Sequence, residues 1–207
     1  MRIVVIGGNA GTGAHVVHQA LQRGDEVVSV SRSGWTDPPE GVEDVRLDAT
    51  ASAGLDQVLT GADAVVVAVG ASGFDRSRPR TRVTEAVVSS LGRVGARPVV
   101  AHSSLGVGDS LDLMKQPVRT IARVALGIAL ADHGAQEDVL ARSGLPWASV
   151  RPGGLSDDPA RGDVTLTPTA DAAPGAPTGR ITRADVAAGI LQVLDEGLGG
   201  TFVFVPR

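Results

Sequence analysis

The chain has no cysteine and no tyrosine, and aromatic residues make up only 2% of it. Without cysteine there is no disulfide, no thiolate nucleophile and no zinc–cysteine site, and the redox compartment stays open. Without tyrosine there is no phenol to hand a proton to a carbonyl. Lys115 is the only lysine. No apolar run approaches the length of a bilayer span, and the first apolar strand begins at Arg2 without a charged and apolar leader, so a cytoplasmic protein with no membrane partner is expected. Nor is there an excess of positive charge: the formal net charge is −4, which gives no electrostatic reason to expect nucleic-acid binding. What is present, 43% hydrophobic and 20% charged residues over 207 positions, can bury a full core as one domain.

The chain is organised around Met1 to Gly24. Arg2–Ile6 is a short β-branched run of the kind buried on both faces of a parallel sheet. Gly7, Gly8, Asn9, Ala10, Gly11, Thr12 and Gly13 follow at once, with little side-chain bulk, so the backbone can turn sharply and let a phosphate approach its N–H groups. Val16, Val17, Ala20 and Leu21 then recur at helical spacing, and Gly24 is placed to end the helix. Strand, glycine turn and helix N-terminus together predict a dinucleotide site.

Glu26–Ser31 reads as the second strand, with Arg32 just beyond it. An acid at that point accepts from a ribose 2′-hydroxyl, whereas arginine pairs with a 2′-phosphate, so Ser31, Arg32 and Ser33 favour NADP over NAD; the alternative is a solvated surface arginine. Trp35–Gly41 is a proline-broken loop and Val45–Leu47 a short strand. Asp48 and Ala49 are placed to border an adenine, and Asp48 could equally cap a helix over Ala53–Leu59. Ala64–Val69 is wholly apolar, hence a central strand, and Gly70 and Ala71 are small enough for a nucleotide to lie across its end. Ser72–Arg82 carries four arginines and reads as a solvated face, with a flexible rim over the cofactor as the alternative.

A helix over Val83–Val94 and a strand over Pro98–Ala101 follow, delivering His102, Ser103 and Ser104 to the carboxyl edge of the sheet. Ser110–Leu130 reads as helical structure interrupted near Pro117, Asp132–Arg142 as a helix stopped by Gly144, and Pro146–Val150 as a strand leading into Arg151 and Pro152. Residues from about 156 to 180 are rich in Pro, Ala, Gly and Asp. They read as a long loop over the substrate pocket, with a short strand at Val164–Thr167. A helix at Arg183–Leu194 and a strand at Thr201–Val205 complete one α/β domain over residues 1–207, a doubly wound Rossmann domain whose mostly parallel sheet is flanked by helices. His15 and His18 lack carboxylate or cysteine partners, so no metal site is expected.

Taken in order, IGGNAGTG, SR, LDAT, AVVVAVGAS, VVAHSS, DHGAQEDVLARSGLPWASVRPGGL and ITRADVA span nearly the whole chain. The glycines fall at Gly7, Gly11 and Gly13 as G-x-x-x-G-x-G, or as G-x-x-A-x-x-G with Ala10 in the middle. On these segments the chain resembles an atypical short-chain dehydrogenase/reductase of the NAD(P)-binding, NmrA-like group, most closely the flavin reductase or biliverdin-IXβ reductase type. The resemblance implies NADP(H) along Gly7, Asn9, Ala10, Gly11, Thr12, Gly13, Ser31 and Arg32, with Asp48, Ala49, Val69, Gly70, Ala71 and Pro152 completing its contacts, and hydride transfer to a flat conjugated acceptor. Ser104 matches the active-site serine of that group beside the nicotinamide, with Ser103 next to it; the alternative is that both serve backbone groups at a strand end. His133 is the candidate titrating acid or base, with a structural role as the alternative.

Departures count as well. Typical members use a Tyr-x-x-x-Lys pair, in which lysine lowers the tyrosine pKa; here those positions hold Leu130 and Gly134. Flavin and biliverdin reductases resemble this chain in dispensing with the pair, because solvent can supply the proton. Glu137 stands where the bilin-reducing relatives carry a histidine, which speaks against bilin. The reading is an NADPH-dependent reductase of a small flavin-like, quinone-like or other conjugated acceptor, expected to be a monomer, with a dimer as the alternative. Its rival is a non-catalytic NADP(H)-binding sensor of regulatory NmrA-like type, favoured by the missing pair. A sugar epimerase or dehydratase is disfavoured by the missing tyrosine and by the lack of a separate substrate domain.

Overall fold

Valine-rich runs supply the centre of the sheet and more polar segments its edges. A computed structural model describes residues 1–51, 54–71 and 75–207. The expected helix start at Ala53 and the expected solvated positions Ser72, Gly73 and Phe74 lie outside the described residues. The strands are β1 (Arg2–Ile6), β2 (Glu26–Ser31), β3 (Val42–Arg46), β4 (Ala64–Val67), β5 (Val99–His102), β6 (Trp147–Arg151), β7 (Gly154–Ser156), β8 (Val164–Pro168), β9 (Arg180–Thr182) and β10 (Gly200–Pro206). The helices are α1 (Gly11–Gln22), α2 (Leu55–Leu59), α3 (Pro79–Val94), α4 (Val118–Ala125), α5 (Gly127–Arg142) and α6 (Arg183–Asp195). Eight strands form one sheet in the order β3-β2-β1-β4-β5-β6-β10-β8, parallel throughout except that β8 runs against β10. The strand order reverses between β1 and β4, and a crevice opens outside their carboxyl ends at such a switch point.

Alternation along β1 divides the core. Ile3 and Val5 face α1 and α6, packing with Val16, Val17, Ala20 and Ile190. Val4 and Ile6 face the other side, with Leu55, Leu59, Val83, Val87 and Leu91. All of these are within 5% of fully buried, so the strand has no solvent face and reads as a continuous apolar run. Trp35 seals one end of the first layer: its indole N–H donates to the buried Ser29 hydroxyl at 2.8 Å, and its ring stands edge-on to His18 with centroids 5.6 Å apart.

Several boundaries differ from expectation. β3 begins at Val42 rather than Val45, because its pairing with β2 outweighs the weak strand propensity of Glu43 and Asp44. α2 begins at Leu55 behind Gly54, and Asp48 does not cap it; that carboxylate accepts instead from the Thr50 amide at 2.9 Å and the Thr50 hydroxyl at 2.8 Å. α3 begins at Pro79, inside the arginine-rich stretch, with proline in the first turn where its missing N–H costs nothing. Within the segment from 156 to 180, β8 closes one edge of the sheet and β9 pairs with β7 in a small parallel sheet of its own.

Candidate functional site

The crevice at the switch point is a cleft of about 770 Å³. Its floor is the glycine loop. Gly7 has φ +85°, and a Cβ there would sit 2.6 Å from the Ala68 carbonyl oxygen. Gly13 matters for packing instead, since a Cβ on it would stand 2.1 Å from Gly7 O; its bare backbone lets α1 seat against the loop. Gly13 is buried and does not line the cleft, unlike the expected contacts Gly7, Asn9, Ala10, Gly11 and Thr12, which all do. Asn9 also braces the loop, its amide donating to the Ser33 hydroxyl at 3.0 Å and to Gly34 O at 2.8 Å. At the helix N-terminus Ala10 offers no side-chain cap, no acid lies in the first turn, and Thr12 keeps a buried hydroxyl without a partner. Free donors and an orphaned hydroxyl at a helix N-terminus fit a diphosphate.

At the outer end, Ser31, Arg32, Asp48 and Ala49 line the cleft as expected, and Arg82 joins them from the first turn of α3. The Thr50 amide and hydroxyl hold the Asp48 carboxyl below its usual pKa, and the charges of Arg32 and Arg82 act in the same direction. Asp75 lines the cleft as well and also feels the charge of Arg32, so the guanidiniums of Arg32 and Arg82 stand beside two carboxylates; a guanidinium just past the second strand is the group that pairs with a 2′-phosphate. Arg82 was hidden in sequence by its arginine-rich surroundings, which read as a solvated face. Arg80 departs further from that expectation: it is 8% exposed. Its partner is Asp132 of α5, 1% exposed, which accepts from the amides of Arg80 at 3.2 Å and Thr81 at 3.1 Å, from the Thr81 hydroxyl at 2.7 Å and from the Arg80 guanidinium at 3.3 Å. Burial pushes the Asp132 carboxyl up, but these bonds outweigh it and hold the group below the usual range. A carboxylate from another helix thus caps α3 and turns its first residues into the cleft wall.

Val69, Gly70 and Ala71 line the inner part of the cleft, as expected. The side chain that reaches it from β5 is His102, whose Nε2 is buried without a partner. Burial first, then the charges of Arg80 and Arg183, push its imidazole down to about 4, so it is neutral near pH 7. The signal for it was its position as the last residue before the serine pair, at the carboxyl end of a central strand.

The expected catalytic residues stand elsewhere. Ser103 is 1% exposed with an unpartnered hydroxyl, and the half-buried Ser104 donates to Leu105 O at 3.2 Å; neither lines the cleft. His133 is 6% exposed and also off the lining, and burial, followed by Arg80 and His102, pushes it down to about 3. It is therefore neutral near pH 7, in keeping with the structural alternative to a titrating acid or base. Pro152 is buried and does not line the cleft; its carbonyl accepts from the Leu105 amide at 2.8 Å. Glu137 is structural: it takes Arg151 through Nε at 3.0 Å and Nη2 at 2.6 Å, and the Ser149 hydroxyl at 2.7 Å. Leu155 and Arg183 line the cleft from either end of the segment from 156 to 180, and no residue between those ends does so. Among the described residues no cluster of His, Asp and Glu could hold a metal, and no helix is long and apolar enough to cross a membrane.

Comparisons with known proteins agree with this geometry. A chloroplastic protein of Arabidopsis thaliana, itself uncharacterized, is 29% identical over 180 residues, covering 81% of this chain; the matched part spans 64% of that relative's length. Among solved structures, ChuY, named as an anaerobilin reductase of Escherichia coli O157:H7, superposes with a TM-score of 0.80 at 22% identity over 100% of this chain and 98% of its own. A Streptococcus pneumoniae protein provisionally named an NADH-flavin reductase gives 0.78 at 21% identity over the whole of both chains. A short-chain dehydrogenase/reductase of Veillonella parvula gives 0.82 at 19% identity, over 100% and 94%. A family model described as NAD(P)H-binding matches residues 7–197. With a switch-point cleft, an uncapped glycine loop and that match over most of its length, the chain belongs to the NAD(P)H-binding family and shares its fold with the Veillonella short-chain dehydrogenase/reductase.

Proposed function

We propose that the chain is an NADPH-dependent reductase that passes hydride to a small, flat, conjugated acceptor of flavin-like or quinone-like type, without a tyrosine–lysine pair. The observation that carries the choice of NADPH is the pair of guanidiniums, Arg32 and Arg82, that line the cleft at the end of β2, where an acid would be needed to take a ribose 2′-hydroxyl. The names of the solved relatives, for anaerobilin and flavin reduction, support the choice of acceptor class.

Gly7 to Thr12 would wrap the diphosphate with backbone N–H groups, Arg32 and Arg82 would pair with the 2′-phosphate, and Asp48, Ala49 and Val69 would border the adenosine. A bound dihydronicotinamide supplies the hydride. Gly70 and Ala71 leave room for a flat ring against the backbone. His102, neutral and unpartnered at Nε2, offers one hydrogen bond to whatever lies beside it. The neutral imidazoles of His102 and His133 hold no acidic proton near pH 7, so the proton on the reduced acceptor comes from water. Orientation and exclusion of competing reactions are then the main contributions of the protein.

The test is loss of NADPH absorbance against FMN, riboflavin, biliverdin and small quinones. Turnover with one of them, falling several-fold in His102→Ala, supports the reductase. NADPH binding without turnover across the panel favours the sensor reading, which has its own observation: the Ser104 hydroxyl is spent on Leu105 O and neither histidine carries a proton to give. Capture of a protein partner that depends on NADP would then be the next measurement.

A further inference from the structure

Arg183 opens α6, and α6 lies along α1: Gln19 donates to Ala184 O at 2.9 Å, and at the far ends Arg23 pairs with Asp195 at 2.7 Å. This packing sets the Arg183 side chain over the glycine loop. A Cβ built on Gly11 would lie 3.6 Å from Arg183 Nε and 3.9 Å from its Cδ. Gly11 is the first residue of α1, the helix end that has no side-chain cap. Beside it Thr12, 5% exposed, leaves Oγ1 unpartnered on the cleft wall. An anion-seeking helix end, an orphaned hydroxyl and a guanidinium therefore converge on one place.

That guanidinium is already engaged. Its Nη1 donates to Asp157 Oδ1 at 2.7 Å, the Arg183 side chain being 25% exposed and the Asp157 carboxylate 83% exposed. Asp157 comes directly after β7, and the chain beyond it is tied back to the same helix start. Asp185 accepts from the amides of Arg161 and Gly162, each at 3.0 Å, and from the Thr182 hydroxyl at 2.7 Å. Asp157 is thus held within reach of Arg183 while its own carboxylate stays in water.

We propose that Arg183 is a diphosphate clamp restrained at rest by an internal anion: Asp157 occupies the guanidinium until the diphosphate of a dinucleotide takes it over, so that Asp157 tunes the affinity of the site. The inference rests on the nucleotide reading of the cleft and adds to it a residue from the opposite end of the chain. An exposed carboxylate is a weak, salt-screened partner. A diphosphate lodged between the α1 N-terminus and the guanidinium carries two charges, meets a planar fork and loses water, so the exchange runs toward the ligand.

Calorimetry on the full chain tests this with two probes: ADP-ribose 2′-phosphate, which carries the diphosphate, and adenosine 2′-monophosphate, which lacks it. Arg183→Gln should weaken the first by roughly ten- to a hundredfold, the range of a lost charge-assisted hydrogen bond, and leave the second unchanged. Asp157→Asn, at a solvated position where folding is not at risk, should tighten the first by about two- to fivefold, the range of an exposed ion pair. Equal losses on both probes, or none on either, in a folded Arg183→Gln protein overturn the clamp. Weaker binding in Asp157→Asn would make Asp157 a support for Arg183 and overturn its role as competitor. If neither probe binds the wild type, the nucleotide reading fails and the clamp fails with it.

Discussion

The two ends of the cleft present their polar groups in opposite ways. Around β1, α1 and β2 the cleft is lined by the glycine loop and by the side chains that follow β2, supplied by elements that are neighbours in sequence. Around β5, α5 and β6 the polar groups are buried; some are held by partners far along the chain, as Asp132 holds Arg80 and Thr81 across 52 and 51 positions, while His102 Nε2, the Ser103 hydroxyl and His133 Nδ1 have none. The first end leaves the Thr12 hydroxyl without a partner beside an uncapped helix start. The second is held by two buried carboxylates, Asp132 and Glu137, whose bonds serve the protein's own packing. If this division is right, lesions at the second end cost stability, and lesions at the first cost cofactor.

The largest effect is expected from Asp132→Ala. It strands a buried guanidinium and two helix-start amides, which should cost about 3–5 kcal/mol of unfolding free energy by the measure of broken buried pairs. In whatever fraction remains folded, calorimetry should find NADPH affinity reduced by less than in Arg32→Ala, because Asp132 acts on the cleft only through the start of α3 that carries Arg82. A proportionate loss of affinity in that folded fraction would break the division. The wild-type contribution carries a sign in pH as well. The Asp132 carboxyl sits below its ordinary value of 3.8, so its stabilisation is complete above that pH and is lost as pH falls through the lower folded value.

Gly13→Ala comes next. Its methyl would meet Gly7 O at 2.1 Å, and overpacking against backbone should cost about 3 kcal/mol. Unlike Asp132→Ala it should also disable nucleotide binding, because relief of the clash must move α1 or the loop. Unchanged affinity in a folded variant would show that the loop tolerates a displaced helix.

These contrasts explain what could be read from the chain. Strands β1 and β2, the glycine loop and the placement of Arg32 follow from short-range rules, strand periodicity, glycine bulk and a charge after a strand, and stand where the sequence predicts them; β4 starts as predicted at Ala64 and ends at Val67, two residues early. The start of α3 was not legible. Its cap, Asp132, comes from another helix, and four arginines nearby gave the pattern of a solvated face. For the same reason His133 read as a titrating group: nothing local to it announces burial beside Arg80. At the end of β5 it is His102, and neither Ser103 nor Ser104, that lines the cleft, a difference of one position that strand periodicity alone does not fix. Arg183 and Arg82 escaped because α6 and α3 reach the site only through the three-dimensional packing of the sheet.

At the ligand end, Arg32→Ala should raise the NADPH dissociation constant by about tenfold, the loss of one charge-assisted contact, with NADH affected less than twofold. Competition binding of the two nucleotides measures it. Equal changes for both would assign Arg32 to the surface and leave Arg82 as the cation of that corner.

The smallest effect belongs to the histidines, and it separates the two ends by titration. An unfolded histidine titrates near 6.5, whereas His102 is held at about 4 and His133 at about 3. As pH falls from 6.5 the unfolded chain takes up protons that the folded chain refuses, so stability must decline, by at most about 1.4 kcal/mol per pH unit for each histidine. Urea unfolding at pH 6.5 and 5.5 should show this slope in the wild type and a shallower one in His102→Ala. Ser104→Ala, whose hydroxyl only serves Leu105 O, should keep the wild-type slope. The slope also bears on the cleft itself. Arg183 is one of the charges that keep His102 neutral, so Arg183→Gln should raise the His102 pKa above about 4, readable from its imidazole proton resonances. A bound diphosphate, by neutralising that guanidinium, should move the same resonance in the same direction. An unmoved His102 pKa in both cases would mean that the charge at the glycine loop is not felt at the end of β5, and that the two ends of the cleft are electrostatically as well as structurally separate.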